Sequence, residues 1–298
     1  MAGSKDISVK NHYSKSPLNY IGNKYKLLPQ LIPLFPKEIR TAVDLFAGGC
    51  DVIANLKAEN RVANDSNKRL IELEKWIRDT NAEDINKQMD SVIGYYGLSK
   101  TNKDGYLLLR KDYNNGKDTP LNLFACICYC FNNQMRFNQE GKFNSAFGMN
   151  RSSYNDKIRG RMQEYHDNLQ GVELRAGDFR TALDSMPQLE KGDFVYCDPP
   201  YLISYAYYNE RKKGLNGWNE KDDADLFDWL DRLNDRGVIF GMSNLMRHKG
   251  KTNEGLLEWS KKYKVYVLDK DYKNCVYCWK PSDEATEEVY ITNLEVSE

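Results

Sequence analysis

The chain has 298 residues, enough for one large domain or for two smaller ones that share a core. Hydrophobic residues make up 41% and charged residues 29%, a composition typical of a packed globular protein and unlike that of a disordered one. Basic and acidic residues balance at 43 each, so net charge does not indicate a nucleic-acid partner, although one positive face is enough to bind DNA.

Four short apolar segments bounded by turn residues predict buried parallel strands, with helical patterns beside them. In chain order we predict a strand at 41–46, helices at 68–80, 84–96, 103–113, 120–134 and 154–169, a strand at 194–197, a helix at 222–235, and strands at 238–241 and 264–268. Alternating strands and helices indicate an open α/β sheet with helices on both faces, a Rossmann-like fold.

The consecutive helices between 84 and 169 interrupt this alternation and predict an inserted, mainly helical module. Within it, residues 136–144, RFNQEGKFN, predict a β-hairpin around a glycine turn. The predicted organisation is a flexible arm at 1–16, an α/β domain built from 17–71 and 171–298, and the module at 72–170.

No apolar run reaches the roughly eighteen residues that a membrane helix needs, and the polar N-terminus lacks a signal-peptide pattern. We therefore expect a cytoplasmic protein with no membrane partner and infer no obligatory protein partner. Cys126, Cys128 and Cys130 are too closely spaced for a zinc knuckle and are interpreted as small buried residues. The three histidines lack metal-ligand spacing, so no metal is expected.

The first motif that indicates a function is DLFAGGC at 44–50, directly after an apolar strand. Glycines at a strand end let the backbone approach a ligand closely, and ligands of open α/β sheets bind at that edge. Asp44 is placed to receive a cationic amino group. Asp65, about twenty residues further on, is placed to accept from the hydroxyls of a ribose. Together these features predict an adenosine-containing cofactor.

The second motif is DPPY at 198–201, directly after the apolar segment 194–197. The two prolines end the strand in a rigid turn, so the Asp198 carboxylate and a proline carbonyl become fixed acceptors beside the Tyr201 ring. Such acceptors are suited to hold an adenine amine while Tyr201 stacks on the base and a methyl group is attacked.

From about residue 17 to residue 293, the sequence resembles the Dam-type (D12 class) DNA adenine methyltransferases, most of all their compact bacteriophage members. The resemblance rests on NYIGNK at 19–24, DLFAGG at 44–49, ND at 64–65, the 136–144 segment, FG at 147–148, GDF at 177–179, DPPY at 198–201 and SN at 243–244. It implies transfer of a methyl group from S-adenosylmethionine to the N6 amine of an adenine flipped out of double-stranded DNA, at GATC or a related short site.

The resemblance also implies roles for individual residues. The cofactor residues are Tyr20, Lys24, Asp44, Phe46, Gly48, Asp65, Asp178, Phe179 and Asp198, and the catalytic residues are Asp198, Pro199 and Tyr201. Arg136 and Asn138 correspond to the start of the DNA-reading hairpin. Arginine can form paired hydrogen bonds with the edge of guanine, and asparagine with that of adenine. Lys142 and Arg151 are suited to contact phosphate.

The sequence departs from the family where members commonly have Pro-Phe-Gly followed by a basic residue. This chain has AFG at 146–148 followed by Met149 and Asn150, which puts the GATC preference in doubt. Two alternatives also remain at this point: methylation of cytosine N4 in DNA, and a catalytically inactive DNA-binding relative. The same turn chemistry is compatible with methylation of a protein glutamine, but such enzymes typically have asparagine in place of Asp198.

Overall fold

The computed structural model describes residues 12–184, 189–204, 217–268 and 286–295. Within these residues, eight strands form one sheet in the order β3-β2-β1-β4-β5-β8-β7, and β6 pairs with β5 outside that path. The strands are β1 (Thr41–Asp44), β2 (Asn60–Asp65), β3 (Val172–Ala176), β4 (Phe194–Cys197), β5 (Ile239–His248), β6 (Lys251–Thr252), β7 (Lys264–Leu268) and β8 (Glu287–Thr292).

The first five strands in that order are parallel, and β8 is antiparallel to β5. Every residue of β1 and β4 is buried, as expected for central parallel strands that are covered on both faces. The predictions at 41–46 and 194–197 are confirmed, and the strand predicted at 238–241 continues further than expected, to His248.

Most of the described helices begin and end within two residues of the predicted positions, but the helix predicted at 120–134 ends at Tyr129 because the backbone becomes left-handed at Asn132 and Asn133. Short polar caps fix several of the helix starts. For example, the side chain of Asn67 accepts a hydrogen bond from the Leu70 amide at 3.3 Å. The helices are α1 (Leu28–Leu31), α2 (Lys68–Asp79), α3 (Ala82–Tyr96), α4 (Lys103–Asn114), α5 (Pro120–Tyr129), α6 (Asp156–Leu169), α7 (Phe179–Asp184), α8 (Glu220–Asp235) and α9 (Glu254–Trp259). Short 3₁₀ turns lie at Tyr25–Leu27, Ile32–Leu34, Ile53–Asn55, Phe131–Asn133 and Ser260–Lys262.

Helices α3 to α6 follow one another between β2 and β3, and their apolar faces join the core on one side of the sheet. The boundary predicted between residues 71 and 72 falls inside α2, which packs against both β3 and α5. Cys126, Cys128 and Cys130 are free thiols buried in α5 or at its end, as predicted.

Residues 12–16 belong to the packed structure, which differs from the flexible arm predicted at 1–16. The amide of Ser14 donates to Asn55 Oδ1 at 2.8 Å, and the amide of Ser16 donates to Asp51 Oδ1 at 3.0 Å. Residues 1–11 lie outside the described part of the chain.

The strand predicted at 264–268 is present as β7, but the prediction that it is buried among parallel neighbours is wrong. β7 pairs antiparallel with β8 at the edge of the sheet, and the side chains of Val265 and Val267 are 42% and 64% exposed. Its apolar residues resemble those of a buried strand because β-branched side chains favour extended backbone in either setting.

Candidate active site

The centre of the sheet has a topological switch point. β1 pairs with β2 on one side and with β4 on the other, so the carboxyl ends of these strands diverge into loops on opposite sides of a crevice. A pocket of about 420 Å³ opens there. Nine of the predicted site residues line it: Tyr20, Lys24, Asp44, Phe46, Gly48, Asp65, Asp198, Pro199 and Tyr201.

Asp44 ends β1 on the floor of this pocket and is 1% exposed. Its Oδ1 atom is buried and has no hydrogen-bond partner among the described residues. Burial, and then the negative charge of Asp198, raises the pKa of Asp44 well above its ordinary value. A buried acceptor without a partner is costly, so this oxygen is suited to a cationic or hydrogen-bonding ligand.

Asp65, at the end of β2, holds the glycine loop that follows β1. Its Oδ2 atom accepts from the Gly48 amide at 2.9 Å, and its Oδ1 atom accepts from the Asn67 amide at 2.8 Å. Gly48 has a φ of +50°, which favours glycine, and a Cβ atom on it would lie 3.0 Å from the ring of Tyr20, so a side chain there would press against that ring. The carboxylate therefore braces the loop as well as facing the pocket.

Asp198 follows β4, and its two carboxylate oxygens have different donors. The Tyr201 hydroxyl donates to Oδ1 at 2.9 Å, and the Lys24 ammonium donates to Oδ2. Lys24 is 3% exposed; it also donates to the Gly22 carbonyl at 3.0 Å and lies 5.2 Å from the centre of the Tyr201 ring. Burial raises the pKa of Asp198, although the positive charge of Lys24 acts in the opposite direction.

Glu288 also belongs to this cluster, and the sequence patterns did not indicate it. It is the second residue of β8 and is 1% exposed. Its Oε1 atom lies 3.0 Å from the Tyr201 hydroxyl oxygen and 3.8 Å from the Lys24 Nζ atom. It was missed because it lies more than eighty residues from the DPPY motif, where the sequence resembles the start of an ordinary strand.

Asp178 and Phe179 follow β3 and do not line the pocket. Phe179 is buried, and its ring centre lies 5.5 Å from that of Phe46, with Trp218 completing a cluster of three rings. Asp178 is exposed and accepts from the Arg180 amide at 2.9 Å. Phe46 thus connects the predicted adenine-flanking segment to the pocket wall.

The four predicted DNA-contacting residues lie outside the pocket, on the exposed surface of the 130–151 region. Arg136 donates to Gln134 Oε1 at 2.5 Å, Lys142 pairs with Glu140 at 3.1 Å, and Arg151 lies 5.0 Å from the Phe131 ring.

The segment 136–144 contains one isolated antiparallel bridge, between Phe137 and Phe143. Asn138 closes its turn, since Oδ1 accepts from the amides of Glu140 at 3.1 Å and Lys142 at 2.9 Å.

Two further lining residues connect this region to the pocket. Met135 lines the pocket itself, and Asn19 donates from Nδ2 to the Asn132 carbonyl at 2.9 Å. Asn19 belongs to the NYIGNK motif, so its position within that motif was a signal for a role at this boundary.

A family model for D12 class N6 adenine-specific DNA methyltransferases matches residues 20–274. The chain belongs to this family. The order of its sheet, mostly parallel with β8 reversed beside β5, is consistent with the S-adenosylmethionine-dependent methyltransferase fold.

Curated relatives of this D12 class chain are bacterial and phage methylases. It is 41% identical to the type II methyltransferase M.FokI of Planomicrobium okeanokoites over 97% of this chain and 45% of that one. It is 40% identical to the modification methylase StsI of Streptococcus sanguinis over 97% of this chain and 44% of that one. It is 24% identical to the DNA adenine methylase of Escherichia coli strain K12, over 84% and 86% of the two chains.

The chain thus spans a little less than half of the length of M.FokI and StsI. In the parts that the structure describes, no helix combines the length and apolar character needed to cross a membrane. In the same parts, no cluster of histidine, cysteine, aspartate and glutamate side chains has a metal-binding arrangement.

Proposed function

We propose that this chain transfers a methyl group from S-adenosylmethionine to the N6 amine of an adenine flipped out of double-stranded DNA. The observation that supports this most is that Asp44 and Asp198 end adjacent parallel strands and line one pocket. One carboxylate is available for a cofactor and the other for an amine. Family membership supports adenine as the base and S-adenosylmethionine as the donor.

The pocket residues fit S-adenosylmethionine. The unpartnered Asp44 Oδ1 atom is suited to the cationic amine of its methionine part, and Gly48 permits close approach of the backbone. We assign the ribose contact to Asp65 and the wall beside the cofactor adenine to Phe46, with Phe179 packed behind it and Asp178 next to Phe179. We assign Tyr20 and the buried Lys24 to the pocket wall around the cofactor.

S-adenosylmethionine, when bound, supplies an electrophilic methyl group on a sulfonium sulfur. Asp198 and the backbone carbonyl of Pro199 accept the two hydrogens of the target amine, which orients the nitrogen lone pair toward that methyl group. With that group held by the pocket residues, the target nitrogen would accept the methyl group and release one proton, and the Asp198 carboxylate is the acceptor placed to receive it. Tyr201 stacks against the extruded base, a contact worth about 1–3 kcal/mol.

We propose that helices α3 to α6 form the target-recognition module. The predicted limits were 72–170, and we set its start after α2. Its exposed basic residues suit DNA, since arginine can form two hydrogen bonds with guanine and lysine can contact phosphate. Arg136 is the candidate for reading a base, whereas Lys142 and Arg151 are assigned to phosphates. The oxygen of Asn138 is bonded within the turn, so its amide nitrogen is the group left for a base.

A base inside a duplex is out of reach of a pocket at a sheet edge, and this supports extrusion of the target adenine. We propose GATC or a related short site as the target. The 136–144 segment and the NYIGNK motif favour adenine over cytosine N4.

The test is expression of the chain in cells that lack adenine methylation, followed by single-molecule sequencing of plasmid DNA. N6-methyladenine at one short motif is the expected result. N4-methylcytosine would establish the cytosine alternative. Unmodified DNA, together with purified protein that binds DNA but transfers no labelled methyl, would establish an inactive DNA-binding relative.

A further inference from the structure

Glu288 brings a second buried carboxylate to the DPPY turn. β8 runs antiparallel to β5, so its amino end lies at the same edge of the sheet as the carboxyl ends of β4 and β5. This topology places the second residue of β8 beside a turn that follows β4. Glu288 thereby contacts the Tyr201 hydroxyl at 3.0 Å, and its carboxylate lies 3.8 Å from the Lys24 ammonium.

In the structure, both oxygens of Asp198 already accept from the chain itself. Tyr201 donates to one oxygen and Lys24 to the other. Each of these donors draws negative charge from Asp198 and weakens it as an acceptor for a neutral amine. The proposed reaction requires Asp198 to hold that amine, so the two donors need another acceptor.

Glu288 lies within reach of both donors. The Tyr201 hydroxyl has a single proton and lies 2.9 Å from Asp198 Oδ1 and 3.0 Å from Glu288 Oε1, so it can donate to only one of them at a time. The Lys24 ammonium has three protons, lies within ion-pair distance of Glu288 and already contacts Asp198 and the Gly22 carbonyl. A small movement of either donor transfers it from one carboxylate to the other.

We propose that Glu288 is a positioning residue that accepts the Tyr201 hydroxyl and the Lys24 ammonium when the target adenine enters, which frees Asp198 to hold the amine. This inference rests on the proposed function. It also gives a reason for the burial of Glu288: its negative charge lies beside Asp198 and makes that carboxylate a stronger acceptor.

Single-turnover methyl transfer to duplex DNA, at saturating cofactor and DNA, tests this role. Glu288→Leu removes the alternative acceptor and should lower the rate about tenfold or more, while the dissociation constant for S-adenosylhomocysteine stays within about twofold. Glu288→Gln keeps an amide oxygen for Tyr201 but attracts Lys24 less, so its rate should lie between those of Glu288→Leu and the wild type. The neighbouring Glu287→Gln loses an exposed ion pair with Arg247 and serves as the matched control with an unchanged rate.

A second substitution separates this role from a merely structural one. Tyr201→Phe removes one of the two donors that occupy Asp198. Glu288→Leu should therefore lower the rate of methyl transfer by a clearly smaller factor in that background than in the wild type. An equal loss in both backgrounds would overturn the inference. If Glu288→Leu does not fold, as judged by its thermal melt, the same comparison is made with Glu288→Gln.

A binding experiment gives a readout that does not depend on turnover. With S-adenosylhomocysteine present, the wild type should bind a duplex with adenine at the target more tightly than one with purine, which lacks the amine. Glu288→Leu should lose that preference. An active wild type with an unimpaired Glu288→Leu variant would overturn only the role of Glu288, whereas a wild type that transfers no methyl group would overturn the proposed function and this inference with it.

Discussion

Replacing Glu74 by glutamine should change how the stability of the fold depends on pH. Glu74 lies on α2 and is fully buried below the glycine loop. The Tyr165 hydroxyl, from α6, lies 2.8 Å from the Gly49 carbonyl and 2.9 Å from Glu74 Oε2. A phenol has one proton, and a carbonyl can only accept. Both contacts are therefore hydrogen bonds only if Glu74 is protonated and donates to Tyr165.

Burial raises the pKa of Glu74 from 4.5 to about 8, although the contact with Tyr165 acts in the opposite direction, and the negative charges of Asp51 and Asp65 add to the effect of burial. Between these two values the folded chain keeps a proton that the unfolded chain releases. Stability is therefore greatest below the unfolded value and falls as the pH rises toward the folded value, by about 1.4 kcal/mol per pH unit at most. From pH 5 to pH 7.5 the loss due to Glu74 amounts to about 3 kcal/mol.

Glu74→Gln cannot ionise, and its amide can still donate to Tyr165. Urea unfolding of the wild type and the variant between pH 5 and pH 7.5 measures the difference in the free energy of unfolding. We expect the wild type to lose about 3 kcal/mol relative to the variant over this range. Glu72→Gln, on the exposed side of the same helix, is the control and should follow the wild type. Parallel curves for wild type and Glu74→Gln would refute the protonated state of Glu74.

Asp198→Ala should lower methyl transfer to duplex DNA about a hundredfold or more, since the amine loses its carboxylate acceptor; a rate within about tenfold of wild type would contradict this. Asp65→Ala should weaken S-adenosylmethionine binding by about 1.5–3 kcal/mol in calorimetry, because a ribose acceptor and the brace of the glycine loop are both lost, whereas an unchanged dissociation constant would move the ribose contact elsewhere. Burial raises the pKa of Asp44, and a cationic ligand favours its ionised form. Cofactor binding should therefore release protons, and equal binding heats in buffers of different ionisation enthalpy would exclude this. Arg136→Ala should weaken DNA binding by about 1–3 kcal/mol and relax the base preference at one position when methylation is profiled over a randomised library. An equal loss of methylation on all sequences, with an unchanged motif, would indicate a phosphate contact.

The central part of the fold was predictable because its signals are local. β1 and β4 are short apolar runs that end in chemically distinctive turns, and parallel central strands have few polar residues. Helices α2, α3 and α4 have apolar periodicity and asparagine caps, so their limits came within two residues. The end of α5 was placed five residues too late because its apolar run gives no signal where the helix stops. β7 has the same apolar character as a central strand, and only its pairing reveals that it lies at the edge.

The pocket was predictable in part for the same reason. Nine predicted residues line it because each lies within or next to a strand-end motif or the NYIGNK segment. Glu288 and Glu74 were not predictable, since a glutamate near a strand start or within an amphipathic helix resembles a solvated residue. Their burial depends on partners far away in the chain, Tyr201 for one and Tyr165 for the other.

The carboxylates assigned to the cofactor and the basic residues assigned to DNA carry opposite charges and lie in different parts of the fold. Asp44, Asp65 and Asp198 line the pocket together with Lys24, and Glu288 lies 3.8 Å from that lysine. These carboxylates suit a cationic cofactor and an amine that donates hydrogen bonds. The basic residues assigned to DNA lie on the exposed surface of the helical module, outside that pocket. On the proposed function, the two surfaces need opposite charge because one binds a sulfonium compound and the other a polyanion. A net charge of zero is therefore compatible with two charged ligands.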